Sequence, residues 1–131
     1  MNLENIIYSS SPINQDIVLY YEKIFKVILP LEVRKIISLE SGNISYNDEE
    51  HMLFTPKEWK DYLDIFDFDF NKSGLVPLLF FDYTVVCYAP KEKGYLIKEL
   101  GLGSETDEYK SIIELLDARD SIIEDDDDDI S

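Results

Sequence analysis

The fold is decided by the stretch Leu75-Val-Pro-Leu-Leu-Phe-Phe-Asp82-Tyr-Thr-Val-Val-Cys-Tyr-Ala89, which continues into Pro90-Lys-Glu-Lys-Gly94 and Tyr95-Leu-Ile-Lys-Glu99. It is a long run dense in β-branched and aromatic residues, and turn-forming residues divide it into pieces of strand length. Residues 75–81, 83–89 and 95–99 are therefore predicted to be strands of an antiparallel meander, with a hairpin at 91–94. These strands form the centre of the predicted sheet.

Two helices are predicted near the N-terminus. Ser11-Pro12 is typical of a helix N-terminus, because serine caps the first turn and proline lacks only an N–H that the turn does not use. An apolar stripe at helical spacing follows, with Tyr21 beside it: Ile13, Ile17, Tyr20, Ile24 and Ile28. We expect this stripe to face the core. Leu29-Pro30 predicts the end of this helix and the start of a second, which Gly42 terminates.

A third helix is predicted from Thr55-Pro56-Lys57-Glu58, which combines a capping box with proline at the first helical position. A short strand near 51–54 precedes it. Trp59, Leu63 and Phe66 form its inner stripe, which is more typical of a core than of an exposed aromatic anchor. A closing helix is capped by Ser104 or Asp107, and its apolar residues are expected to cover the sheet: Tyr109, Ile112, Ile113, Leu115 and Leu116.

These patterns predict the α+β class, with a central, mostly antiparallel sheet packed by an N-terminal helix pair, a middle helix and a C-terminal helix. A chain of 131 residues is normally one domain, here assigned to residues 1–118. Residues 119–131 form an acidic tail that is expected to be disordered, either as a solubility tail or as a tether for a basic partner. The N-terminus lacks the features of a secretory signal, so the cytoplasm is the expected location.

The formal charge of −16 is distributed unevenly along the chain. Residues 48–70 hold eight acidic residues against Lys57 and Lys60, and residues 117–131 hold eight against Arg119. The rest of the chain is nearly neutral. Such acidic blocks repel nucleic acid and anionic membranes and attract basic proteins, although acidity also simply maintains solubility.

The sequence offers no recognisable catalytic, cofactor or metal site. His51 and Cys87 each occur once, and no pattern places a base beside the thiol, so Cys87 is expected to be a small buried hydrophobe. Asp67-x-Asp69-x-Asn71 lacks the glycine and glutamate of a calcium loop. Gly101-x-Gly103 lacks the third glycine of a dinucleotide site. We therefore predict no enzyme activity, no cofactor and no metal.

The order of these features resembles the SUKH superfamily, a group of bacterial immunity proteins related to a eukaryotic cell-wall synthesis regulator. The resemblance rests on an amphipathic helix, the Leu29-Pro30 step, a second helix ending in Gly42-Asn43, and a short strand at Leu53-Phe54 that leads to a helix. It continues with a strand at Pro77-Leu78, a turn at Asp82 and a closing helix over residues 112–116. It covers about residues 13–118.

The resemblance implies a protein that binds and neutralises a cognate polymorphic toxin, often a nuclease. A nuclease must attract phosphates, so its cleft is basic and an acidic protein can occlude it. The candidate contact surface is acidic: Asp48, Glu49, Glu50, Asp61, Asp64, Asp67 and Asp69. The alternative is a non-catalytic regulatory interaction module of the same fold.

Overall fold

The described residues form a five-stranded antiparallel sheet whose spatial order follows the sequence. The structure, a computed structural model, describes residues 3–10, 12–39, 42–46, 48–59, 61, 70–81, 84–99 and 108–118. The strands are β1 (Asn43–Tyr46), β2 (Glu49–Leu53), β3 (Val76–Phe81), β4 (Thr84–Ala89) and β5 (Gly94–Glu99). The helices are α1 (Leu3–Ile7), α2 (Gln15–Phe25), α3 (Leu31–Ile37), α4 (56–59, with residue 61 also helical), α5 (Phe70–Ser73) and α6 (112–118).

The α+β class and the meander are confirmed. Strands β3, β4 and β5 lie within one residue of the predicted bounds, and each pairs with the next in antiparallel register. The predicted hairpin joins β4 to β5, with Lys93 in the left-handed conformation at φ 54°. Strand β1 was not predicted, and it adds a second hairpin to the sheet through its pairing with β2.

Alternating side chains give the sheet two buried faces. Val86, which pairs with Ile97, belongs to the main core, where helices α1, α2, α3 and α6 cover the sheet. Cys87, which pairs with Leu96, belongs to a second core on the opposite face. The thiol of Cys87 is fully buried there, as expected for a small hydrophobe. Both faces of β4 are therefore buried.

Helix α2 begins and ends at residues other than those predicted. Asn14 is its N-cap, and the Asn14 Oδ1 accepts hydrogen bonds from the N–H groups of Asp16 (3.1 Å) and Ile17 (3.3 Å). The predicted start is wrong: Pro12 precedes the helix, and Ser11 lies outside the described residues. The helix ends at Phe25 because Lys26 adopts a left-handed conformation, so Leu29-Pro30 does not terminate it.

The buried face of α2 is rotated from the predicted stripe. Tyr21, which was predicted beside the stripe, is buried together with Val18, whereas Ile24 is only half-buried. Tyr20 and Ile28 were expected in the core, but they are 50% and 80% exposed. Ile28 leaves the stripe because the helix has already ended three residues earlier.

Helix α3 confirms the second predicted helix, with Val33, Ile36 and Ile37 buried. It begins after Pro30, and it ends at Ile37, well before Gly42. The predicted stop is therefore wrong. Gly42 has a φ of +78°, a conformation that glycine adopts without strain, at the entry to β1.

Glu32 joins α3 to the closing helix and to β5. Its Oε1 accepts a hydrogen bond from the Ile112 N–H at 3.1 Å, and its side chain also hydrogen-bonds Tyr95. Tyr109 was predicted inside the closing helix, but it pairs with Tyr95 in an isolated antiparallel bridge instead. The Oγ of Ser111 accepts from the Glu114 N–H at 3.1 Å and caps α6; Ser104 and Asp107, the predicted caps, lie outside the described residues.

The start of the third predicted helix is confirmed. The Thr55 hydroxyl donates to the Glu58 carboxylate at 3.0 Å, and the Trp59 N–H donates to the Thr55 carbonyl at 3.1 Å. Leu63 and Phe66 lie outside the described residues, as does the tail at 119–131. Over the part of the chain that the structure describes, every helix is too short or too polar to cross a bilayer.

The rotated face of α2 predicts which substitution is the more severe. Val18→Asp places a carboxylate in the main core, where Val18 is 2% exposed, and should abolish cooperative folding. Ile24→Asp, at the centre of the predicted stripe, should leave a folded protein with a lower melting temperature. Circular dichroism during thermal unfolding measures both. The reverse order of severity would contradict the observed orientation of α2.

The buried tyrosines should make the folded protein less stable at alkaline pH. Burial raises the pKa of both Tyr21 and Tyr95 well above the ordinary value, and the neighbouring Glu32 raises that of Tyr95 further. Above about pH 10 the unfolded chain loses these protons while the folded protein retains them. The free energy of unfolding is therefore unaffected by these groups below about pH 10 and falls as the pH rises further.

Tyr95→Phe should reduce this pH dependence. At neutral pH the variant should lose about 1 kcal/mol, because the hydrogen bond to Glu32 is removed. Above about pH 10 its free energy of unfolding should fall less steeply than that of the wild type, by up to about 1.4 kcal/mol per pH unit. Urea denaturation across this range measures the slope. Tyr8→Phe, at a tyrosine that is 79% exposed, is the control, and equal slopes for the two variants would count against the prediction.

Candidate protein-binding surface

The hairpin of β1 and β2 presents the first three candidate residues, Asp48, Glu49 and Glu50, which we call the acidic hairpin. Tyr46 pairs with Glu49, so a two-residue connection joins the strands. Asp48 in this connection has a φ of 64°, a left-handed conformation that aspartate tolerates better than most residues. The side chains of Asp48 and Glu50 are exposed. Two carboxylates therefore face solvent at and beside a tight turn.

Glu49 faces the interior side of the sheet. Its Oε2 lies 3.9 Å from Nε2 of His51, and its side chain is about one-third exposed. His51 is 2% exposed and packs against Phe81 with ring centroids 5.1 Å apart. Glu49 therefore lies over a buried histidine and is less accessible to a partner than its two neighbours.

A contact with the closing helix fixes the turn end of the hairpin, because Tyr46 pairs with Glu49 directly beside the turn. The Tyr46 hydroxyl donates a hydrogen bond to Oδ1 of Asp117 at 2.5 Å. Tyr46 is 6% exposed and packs in the main core, so this bond joins β1 to α6 at the edge of the sheet. A hairpin held beside its turn presents its carboxylates with little loss of conformational entropy on binding.

Asp61 belongs to α4, which is anchored by Trp59. The indole Nε1 of Trp59 donates to the Phe54 carbonyl at 2.8 Å, and its ring meets Tyr21 edge to face at 5.4 Å. The half-buried Trp59 packs against both cores, which confirms its predicted structural role. Asp61, two residues later, is exposed.

The structure separates the candidate residues into two groups. The acidic hairpin lies at one end of β2, and α4 begins beyond the other end of that strand. Asp64, Asp67 and Asp69 lie outside the described residues. Among the described candidates, the exposed carboxylates of Asp48 and Glu50 therefore lie together, and Asp61 lies apart from them.

The sheet keeps the lone histidine and the lone cysteine apart. His51 pairs with Ile44, which belongs to the main core, whereas Cys87 belongs to the second core on the opposite face. A nucleophile and a base must lie within hydrogen-bond reach, so these two residues cannot form a catalytic pair. In the residues with described positions, no three His, Cys, Asp or Glu side chains are grouped so that they could hold a metal ion.

Sequence reasoning missed two features of this surface. The alternation of Ile44 and Tyr46 with polar residues could have indicated β1, but Gly42 and Asn43 before it look like a turn. The contact between Tyr46 and Asp117 spans 71 residues, and no local pattern predicts such a pair.

Comparison of the chain with protein-family models, with curated proteins and with solved structures finds no match. What this surface can bind must therefore be inferred from its own charges and geometry.

Proposed function

We propose that this protein is a SUKH-type immunity protein that binds and neutralises a cognate toxin. The observation that carries the proposal is a charge of −16 combined with a firmly held acidic hairpin. The toxin would be a basic protein domain, and a nuclease fits best because its substrate is a polyanion. The protein would act by binding alone, without catalysis or a cofactor, in the cytoplasm of the cell that makes the toxin.

The order of elements supports the resemblance. Helices α2 and α3 precede the short strand β2, helix α4 follows that strand, and the meander leads to α6. This succession agrees with the order on which the likeness to the SUKH superfamily rests, except that β1 lies between α3 and β2 and that α3 ends at Ile37 and not at Gly42-Asn43. The resemblance is the reason for proposing a toxin as the partner, and the acidic hairpin is the surface proposed to bind it.

The charge distribution supports electrostatic blocking. Carboxylates on an exposed turn raise the rate of encounter with a basic cleft, and the effect weakens as salt shortens the Debye length to about 8 Å at physiological ionic strength. Inhibition would then follow because the hairpin and the surfaces beside it occupy the path of the nucleic acid.

Rescue from a neighbouring toxin tests the function. If the gene for this protein lies directly downstream of a toxin gene, its expression should restore growth to cells that express that toxin. Val18→Asp, which should not fold, is the negative control. If there is no toxin gene nearby and no rescue, toxin neutralisation would be abandoned, and the regulatory interaction module would become the better interpretation.

Charge reversal tests the acidic hairpin. Asp48→Lys combined with Glu50→Lys should lower the association rate constant with the toxin about tenfold at low salt, since steering depends on charges near the contact. The matched control is Glu92→Lys combined with Glu108→Lys, two exposed acidic residues outside the hairpin, which changes the net charge equally. Stopped-flow fluorescence at several salt concentrations measures both. Equal rates for the two variants would exclude the hairpin as the contact.

A further inference from the structure

The two edges of the described sheet are unlike. Its terminal strands are β1 and β5. The edge of β5 is covered, because Tyr95 and Tyr109 exchange two backbone hydrogen bonds of 2.7 Å in an antiparallel bridge. Beyond β1, no further strand follows among the residues that the structure describes. Within that part of the chain, one edge of the sheet is therefore paired and the other is open.

The register shows which backbone groups of β1 point outward. The Leu53 N–H donates to the Gly42 carbonyl at 2.8 Å, so these two residues form a hydrogen-bonded pair of the ladder between β1 and β2. Hydrogen-bonded and non-hydrogen-bonded pairs alternate along an antiparallel ladder, so Ser45 and Glu50 form a pair of the second kind. The N–H and C=O of Ser45 therefore point away from β2, as do those of Asn43.

Strand β1 itself carries none of the usual features that block an added strand. Natural edge strands are commonly protected by lysine, by proline or by a bulge. The sequence Asn43-Ile-Ser-Tyr46 contains neither residue, and its pairing with β2 proceeds without a register shift. Helix α1 contacts β1, but the buried residues of α1, Leu3 and Ile6, belong to the main core. That contact is therefore on the covered face of the strand.

The main core holds the open edge in place. Ile44 is fully buried and Tyr46 is 6% exposed, and both side chains pack in the main core. The Tyr46 hydroxyl also donates a hydrogen bond to Asp117 of α6. A strand that is already ordered in this way loses little conformational entropy when another strand pairs with it.

The local charge identifies the strand that this edge attracts. Residues 42–54 hold three acidic residues and no lysine or arginine. The exposed carboxylates of Asp48 and Glu50 lie at and beside the turn that follows β1. Asp117, which is also exposed, is held at the same end of β1 by Tyr46. A basic segment is attracted to this end of the edge, whereas a second copy of this chain, with its charge of −16, is repelled.

We propose that the outer edge of β1 binds an extended, basic segment of the partner protein, which adds to the sheet as a further strand. In this mode of recognition the backbone hydrogen bonds supply affinity and the side chains supply specificity. The outward N–H and C=O of Ser45 pair with the segment. The carboxylates of Asp48, Glu50 and Asp117 select lysine or arginine at the end of the segment beside the turn. The inference rests on the proposed function for the identity of the partner, the toxin, but not for the geometry of the edge.

A synthetic peptide that alternates lysine with valine is the probe. At saturation it should slow the solvent exchange of the Ser45 amide at least about tenfold, because that N–H becomes hydrogen-bonded. NMR spectroscopy of the isotope-labelled full chain measures the exchange. The control is the same peptide N-methylated at every residue, which keeps its charge but has no N–H to donate, and it should bind about tenfold more weakly. Equal affinity of the two peptides, or unchanged exchange at Ser45, would indicate contact through charge alone and overturn the inference.

Ser45→Pro tests the edge from the side of the protein. Proline removes the outward N–H but no ladder bond to β2, as at natural edge strands, so the variant should fold. It should weaken peptide binding at least about fivefold, as expected for the loss of one backbone hydrogen bond. Ser45→Ala keeps the N–H and should bind like the wild type. A folded Ser45→Pro protein that binds the peptide as tightly as the wild type would count against the proposal; if circular dichroism shows that it does not fold, the N-methylated peptide decides.

The role of charge has its own test. Asp48→Lys combined with Glu50→Lys should weaken binding of the lysine peptide about tenfold at low salt, whereas Glu92→Lys combined with Glu108→Lys should change it much less. A peptide with glutamate in place of lysine should not bind. If the wild type alone forms a dimer in sedimentation velocity and Ser45→Pro abolishes it, a second copy occupies the edge and the basic segment is wrong.

Rescue from the toxin separates this inference from the proposed function. Ser45→Pro should lose the ability to restore growth, and Ser45→Ala should retain it. Full rescue by a folded Ser45→Pro protein would mean that the toxin binds elsewhere, so that toxin neutralisation stands and the inference about the edge fails. Peptide binding at Ser45 without rescue from any neighbouring toxin would support the edge as a binding site and remove the toxin as its partner.

Discussion

The rest of the structure depends on the burial of β3 and β4 on both faces of the sheet. Val86 and its neighbours on one face need helices α2, α3 and α6 to exclude water, and Cys87 and its neighbours on the other form a second core to which Phe54 and Leu75 contribute. Strands buried on both sides read as nearly continuous apolar runs. Phe25 and Trp59 pack against both cores, and the contact between their rings joins α2 to α4.

This constraint explains which parts of the fold the sequence could predict. Strands β3 to β5 and the cap at Thr55 are encoded by local composition, and the structure reproduces them. The errors occur where a distant contact decides between local alternatives. Asn14 begins α2 in place of Ser11-Pro12, and its N–H is held by Ser38, 24 residues away. The left-handed Lys26 then ends the helix before Ile28, and the buried face is formed by Val18 and by Tyr21, the residue predicted beside the stripe.

The negative charge of the candidate surface could be predicted from the sequence, but which of its side chains face solvent could not. Composition identifies residues 48–50 as acidic, but only the strand register shows that Glu49 faces a buried histidine while Asp48 and Glu50 face solvent. The sequence could not indicate this, because histidine is usually taken for a surface residue and His51 is nevertheless buried. The turn end of the hairpin is held by the hydrogen bond between Tyr46 and Asp117, which come together only when α6 closes over the sheet.

Uneven charge distinguishes the acidic hairpin from the helical layer. Residues 3–39, which form α1, α2 and α3, hold four acidic and four basic residues, so this layer has no net charge in a chain of −16. Carboxylates at an exposed turn attract basic proteins, and screening by salt weakens that attraction. A basic partner would therefore be steered to the end of the sheet that carries Asp48 and Glu50, and not to the helices that cover the main core.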